Sequence, residues 1–286
     1  MHPLTVDIGM PWTAQFFHDN DKWSTKENIE KSIDQFIAAT IAYGHMGWLV
    51  EEKHGMRQTC RSYYMLQQLQ SRYIMQKPLS IRYGSGDATI SSSEAFLNDC
   101  WKDGRLQVQY DNGLTVWVNG NADKPWTVQH QQVKYTLPAF GWLAAQDGFI
   151  TGSILQDGKR FDRVSSSVYL FLDGRGTYRE FDGVGSSGSI AVRPSSTGAG
   201  LSIIAVEGVD RITLASTDRR IAADDIRGLV SRVAAAPKLQ VRSFDAGGKQ
   251  LREDRLAPSA EGVRSGREIR AVPGAIRYEI EPDTNK

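Results

Sequence analysis

The sequence predicts an α+β chain in three parts: a partial β/α unit over residues 1–76, an antiparallel β-sandwich over 77–216, and a short helix with a small C-terminal β-rich region over 217–286. Three observations predict it. Apolar residues recur at three- and four-residue spacing before residue 76, as one face of a helix requires. Leu106 to Val118, LQVQYDNGLTVWV, alternates on both sides of Asp111-Asn112-Gly113, which is a hairpin pattern. Beyond it, short apolar runs are separated by DG, GRG, DGVG and SSTGAG turns, the spacing of a sandwich.

Leu4, Val6 and Ile8 read as a strand leading into an aromatic segment that Pro11 interrupts. Ser24 and Glu27 form a capping box, so a helix is expected to start there. Ile29, Ile33, Phe36, Ile37 and Ile41 form its apolar stripe, and Tyr43-Gly44 ends it. His45 to Val50 reads as a short buried strand, and Arg57 to Tyr73 as a second helix. Strand, helix, strand, helix in this order is the rhythm of a TIM-barrel-like β/α unit. Two strands cannot complete such a sheet, so the front of a larger domain is expected to be missing.

Leu79 to Tyr83 is the next strand, and Ser91 with Glu94 makes a second capping box before a short helix. After the hairpin, strands are expected at 131–137, 141–145, 149–155, 167–172, 176–181, 189–192, 201–206 and 212–214. VGSSGS at 184–189 lacks the lysine and following helix of a phosphate loop and reads as a turn. Asp224 to Ala235 is an expected helix. LQVRSFDAGGKQL and AIRYEIEP are expected last strands, with the charged stretch 252–267 as a loop.

Composition excludes several classes. In 286 residues, 40% hydrophobic and 23% charged, the net charge is only +1, which argues against a general nucleic-acid binder. No apolar run spans a bilayer, so no membrane partner is expected. Met1-His2-Pro3 does not open a secretory signal. Localisation stays open, and an extracellular or periplasmic site follows if the full-length parent carries a signal. Cys60 and Cys100 make no disulfide framework and no metal-ligand spacing, so neither metal nor cofactor is expected.

Two clusters carry possible chemistry. Phe16-Phe17-His18-Asp19-Asn20-Asp21-Lys22-Trp23 ends an apolar approach just before a helix cap, where β/α barrels place catalytic groups. Asp19 or Asp21 is suited to support an oxocarbenium-like transition state, His18 to bond a hydroxyl, and Trp23 to stack on a sugar ring. Turn and cap chemistry explains the same residues. His45 and Trp48 form the second cluster, with glycines beside His45 allowing close approach to the backbone; a hydrogen-bonded core histidine is the plainer account. The aromatics Trp101, Trp117, Trp126, Tyr135, Phe140 and Trp142 would form a sugar platform if exposed in a row, and a core if not.

FFHDND, the helix, the Gly- and Trp-bearing stretch, YDNGLTVWVN and TLPAFGWLA together resemble the C-terminal half of large bacterial glycoside hydrolases, over roughly residues 10–215. The resemblance implies the end of an α-amylase-like (β/α)8 barrel followed by a β-sandwich. It implies a carbohydrate-active protein, with His18-Asp19 matching the His-Asp pair that such barrels carry after their seventh strand. Nucleophile and general acid come from earlier strands in that family, so this polypeptide alone is not expected to hydrolyse its substrate. The expected partners are carbohydrate and the missing N-terminal barrel portion, or another chain completing the sheet. The alternative is a noncatalytic carbohydrate-binding or structural sandwich module.

Overall fold

The computed structural model describes residues 25–47, 49, 55–217, 222, 224–257 and 266–283. It divides into two units, Met1–Arg160 and Phe161–Lys286. Among the described residues the chain is a β-rich α+β protein, and every strand pairing with a defined register is antiparallel.

The first unit opens with α1 (Lys26–Tyr43), capped by the Thr25 hydroxyl, which accepts from Asn28 N at 3.3 Å. The helix therefore begins one position later than a Ser24 cap places it, and Ser24 lies outside the described residues. Ile33, Phe36, Ile37 and Ile41 are buried, as the stripe requires. Gly44, at φ 66°, ends the helix and returns its N–H to Ile41 and Thr40 carbonyls. The second helix, α2 (Met56–Tyr73), buries Tyr64, Met65, Leu66, Leu69 and Tyr73.

Among the described residues no β/α barrel unit is shown, and the first expected strand, Leu4 to Ile8, lies outside them. Residues 45–47 and 49 are irregular where a strand was expected. The physical reason is local. His45 N bonds back to Thr40 O at 3.1 Å, and the Tyr73 hydroxyl donates to His45 O at 2.7 Å, so a side chain replaces a strand neighbour. A Cβ on Gly47 would lie 2.6 Å from Leu66 Cδ1, so the backbone there runs tight against α2.

The first unit's sheet has the order β2 (Ala88–Ser91), β1 (Pro78–Ser85), β3 (Arg105–Tyr110), β4 (Thr115–Asn119), β7 (Trp142–Gln146), β8 (Phe149–Gln156). The helices pack on it, α1 against β3 and β4 and α2 against β8. The opposite face is covered by the hairpin of β5 (Trp126–His130) and β6 (Val133–Leu137), whose core joins Trp126, Val128 and Leu137 to Trp117, Leu143 and Ile154. Trp117 thus faces away from Val116, as strand alternation dictates.

The hairpin between β3 and β4 closes as its sequence demands. Tyr110 N bonds Leu114 O at 2.9 Å, Gly113 adopts φ 83°, and Asn112 Oδ1 accepts from Leu114 N at 3.1 Å. Asn112 also donates to Arg72 O at 2.7 Å, so the turn is fastened to the end of α2.

The second unit is two sheets around α4 (Ile226–Ala235). The larger runs β9 (Lys159–Ser165), β10 (Leu170–Asp173), β13 (Ser189–Pro194), β14 (Leu201–Glu207), β19 (Arg277–Pro282), β16 (Leu239–Phe244), β17 (Gln250–Leu256). The smaller is β11 (Arg179–Phe181), β12 (Val184–Ser186), β15 (Arg211–Ala215), β18 (Gly266–Arg270). Their inner faces and α4 share one core that includes Phe161, Ile190, Ile203, Ile212, Val230 and Tyr278. Asp225 caps α4 by accepting from Arg227 N. Strand β9 falls between the strands expected at 149–155 and 167–172, and β17 extends into the charged stretch 252–267 expected as a loop; VGSSGS begins as a strand before it turns.

Candidate functional site

The capping box at Ser91 is formed: its hydroxyl accepts from Glu94 N at 3.3 Å, and Glu94 Oε2 accepts from Ser91 N at 2.9 Å. The Ser91 hydroxyl and backbone N–H hold the Glu94 carboxyl below its ordinary range. The cap starts α3 (Ser92–Leu97), whose single turn and a half buries only Ala95. Phe96 and Leu97 are left 61% and 85% exposed. Asp99 and Gly104, both with positive φ (58° and 67°), then bracket a 3-10 turn at Cys100–Asp103 and fold the chain back. That return places Trp101 on Phe96, ring centroids 5.5 Å apart and 23° between planes. Trp101 is 42% exposed, and Lys102 Nζ lies 5.9 Å from its ring centre.

A stacked aromatic pair standing in solvent is unusual. Each Å² of such apolar surface left in water forgoes about 25 cal/mol that a partner would recover, which makes the pair a candidate contact surface. Of the six aromatics singled out in the β region, Trp117, Trp126, Phe140 and Trp142 are buried core and Tyr135 is partly buried. Trp101 is the exposed one, and its companion Phe96 carried no sequence signal beyond sitting beside Leu97 in a helix too short to bury both.

His18, Asp19, Asp21, Trp23 and Trp48 lie outside the described residues. His45 is fully buried, edge-on to Tyr43 with centroids 6.0 Å apart, so its ring belongs to the core under α2. Gly44 and Gly47 do permit close approach, but by the chain's own Tyr110 hydroxyl and Leu66.

Beneath the helices lies a buried ionic network. Asp34 of α1 pairs with Arg61 of α2 through one oxygen and with Arg160 Nη1 at 2.8 Å through the other. Arg61 also donates to Gln58 Oε1 at 2.9 Å. Arg160 donates further to Ser153 Oγ, Ala139 O and Phe140 O at 2.7, 2.9 and 3.1 Å. Arg57 pairs with Glu30. Each charge is committed to a partner, and the network reads as structural. Nearby Tyr73 and Tyr110 stack at 6.0 Å; burial raises both hydroxyls, Tyr110 to about 12.

The described residues contain no group of three His, Cys, Asp or Glu side chains placed to hold a metal ion. Cys60 and Cys100 are both free, and burial pushes the Cys60 thiol up. Among the described residues no helix is long and apolar enough to cross a membrane.

His130 at the end of β5 packs edge-on against Trp117, 5.7 Å between centroids, and burial lowers its pKa from 6.5. A base whose folded pKa is depressed favours the fold when neutral. Its contribution is complete above 6.5 and is lost as pH falls, because the unfolded chain takes up the proton first. Urea midpoints of wild type and His130→Gln should therefore diverge below pH 6.5, wild type losing more; parallel curves would remove His130 from the pH response.

Comparisons of the chain with protein-family models, with curated proteins and with solved structures gave no match.

Proposed function

We propose that the chain is a carbohydrate-active protein, the C-terminal part of a glycoside hydrolase, and that it contacts saccharide through the Phe96–Trp101 pair. The exposed stacked rings are the observation that carries this reading. A pyranose ring offers a C–H face to an aromatic ring while its hydroxyls stay in water, so the pair gains contact without stranding polar groups. The sequence resemblance supplies the substrate class, and Asp19, with Asp21 beside it, is the proposed source of transition-state support.

A noncatalytic carbohydrate-binding module is the second reading. The same pair favours it, since stacking needs no reactive carboxylate. Binding of neutral oligosaccharides to the full chain, followed by tryptophan fluorescence, tests the shared premise. Trp101→Ala is expected to weaken binding by about 10- to 100-fold, the effect of losing roughly 1.5–3 kcal/mol of aromatic burial. Equal binding by wild type and variant across the panel would refute it. Turnover by the full-length parent separates the two readings: loss with Asp19→Asn supports the enzyme, and no turnover with binding intact supports the module.

A further inference from the structure

The outer face of the second unit's larger sheet carries a groove of about 740 Å³. Strand register builds it. Arg193, Ser202, Glu279 and Arg242 are successive partners across β13, β14, β19 and β16, so their side chains leave the same face. Ile204, Arg277 and Phe244 form the next row. The residues between them, Ile203, Tyr278, Ile280 and Val241, are buried in the core.

The guanidinium groups of Arg193, Arg242 and Arg277 meet the carboxylates of Glu279 and Glu281 here. Glu279 accepts from Ser202 Oγ at 2.9 Å, and Glu281 from Arg242 Nη2 at 2.8 Å and Thr197 Oγ1 at 3.1 Å. In contrast, Nε of Arg242 and Nε of Arg277 are buried without a hydrogen-bond partner among the described residues. Arg277 lies over the Phe244 ring at 4.6 Å and no closer than 3.7 Å to Glu279. An N–H withdrawn from water and left unbonded is costly, and a bound anion would relieve that cost.

We propose that this groove binds an acidic saccharide, one whose carboxylates are spaced by neutral sugar hydroxyls, such as an oligomer of a uronic acid. The ligand class rests on the carbohydrate reading above; the anion site does not. Arginine forks match carboxylates two bonds at a time. Glu279, Glu281, Ser196, Thr197 and Ser202 supply acceptors and hydroxyls for the sugar oxygens between them. A polyanion without hydroxyl donors between its carboxylates, such as tetraglutamate, would offer the two fixed glutamates only like charge and be repelled. From β13 to β16 the face spans three strand spacings, roughly 14 Å, which is room for more than one ring.

Calorimetry on the full chain at low salt tests this with three probes: a uronic-acid tetrasaccharide, a neutral tetrasaccharide and tetraglutamate. The uronic-acid tetrasaccharide is expected to bind, more weakly as salt rises. Arg242→Ala with Arg277→Ala should weaken it by roughly tenfold or more, while binding of the neutral tetrasaccharide is unchanged by the same pair. The single arginine variants serve if the double variant loses its circular dichroism. No binding of the acidic tetrasaccharide, binding indifferent to both arginines, or equally tight binding of tetraglutamate overturns the proposal. The neutral tetrasaccharide, sensitive to Trp101→Ala and not to the arginines, reports separately on the aromatic platform.

Discussion

Asp34→Ala is expected to cost about 3–5 kcal/mol of stability, the penalty of stranding buried charges whose partner is gone. Asp34 is 5% exposed and holds two guanidinium groups, Arg61 at 2% and Arg160 at 17% side-chain exposure. Removing the carboxylate leaves the buried Arg61 and the largely buried Arg160 without their shared counter-charge. Arg160 also holds the Ala139 and Phe140 carbonyls, so the damage should spread to that loop. Urea unfolding measures it: the midpoint falls while the slope holds. Asp34→Ala combined with Arg61→Met should recover part of the loss, because an apolar chain replaces the stranded charge. A loss below about 1 kcal/mol would place the pair with ordinary surface ion pairs.

Much of the architecture is legible in the residues, and the failures have definite causes. The β3–β4 hairpin reads correctly because period-two alternation and Asn112-Gly113 are local signals that agree with the tertiary fold. The α1 stripe, the Ser91–Glu94 box and α4 read correctly for the same reason. His45 to Val50 misleads because its apolar run does not show that Gly44 turns the chain or that the Tyr73 hydroxyl supplies the missing bond partner. Strand β9 is hidden by its charges: Asp162 is fully buried and accepts from Arg175 Nε at 2.8 Å, which reaches it from beyond β10. Strand β17, Gln-Leu-Arg-Glu-Asp-Arg-Leu, is an edge strand, where charge guards against further pairing.

The candidate sites were less legible. Trp101 is one tryptophan among several, and only the left-handed Asp99 and Gly104 turn it outward. The groove had a signal that alternation could have found. In IAVRP, LQVRSF and IRYEIEP each arginine falls on the opposite parity from the buried Val, Ile and Tyr, which places Arg193, Arg242 and Arg277 on one outer face.

Asn119→Asp is the second large loss, and it bears on the motif behind the glycoside-hydrolase resemblance. Asn119 closes YDNGLTVWVN and is fully buried. Its Nδ2 lies 2.9, 3.1 and 2.8 Å from the carbonyl oxygens of Lys124, Leu137 and Pro138, and its backbone N–H donates to Gly141 O at 2.8 Å. Gly141 in turn admits no side chain: a Cβ there would lie 2.4 Å from Pro138 Cδ. The two halves of the motif, VN and LPAFG, are thus one braced loop, clasped from the other side by Arg160. An aspartate keeps the shape but turns an acceptor towards three acceptors, so roughly 2–4 kcal/mol should be lost from the unsatisfied carbonyls and the new repulsion. Hydrogen exchange at Gly141 and Trp142 should accelerate with it, while amides of α4 in the second unit keep their protection. If the Asn119→Asp chain unfolds at the wild-type midpoint, the motif is not held by this side chain. A loss of the expected size makes the motif a packing signature and leaves the proposed chemistry to be tested at Asp19, Trp101 and the arginine groove.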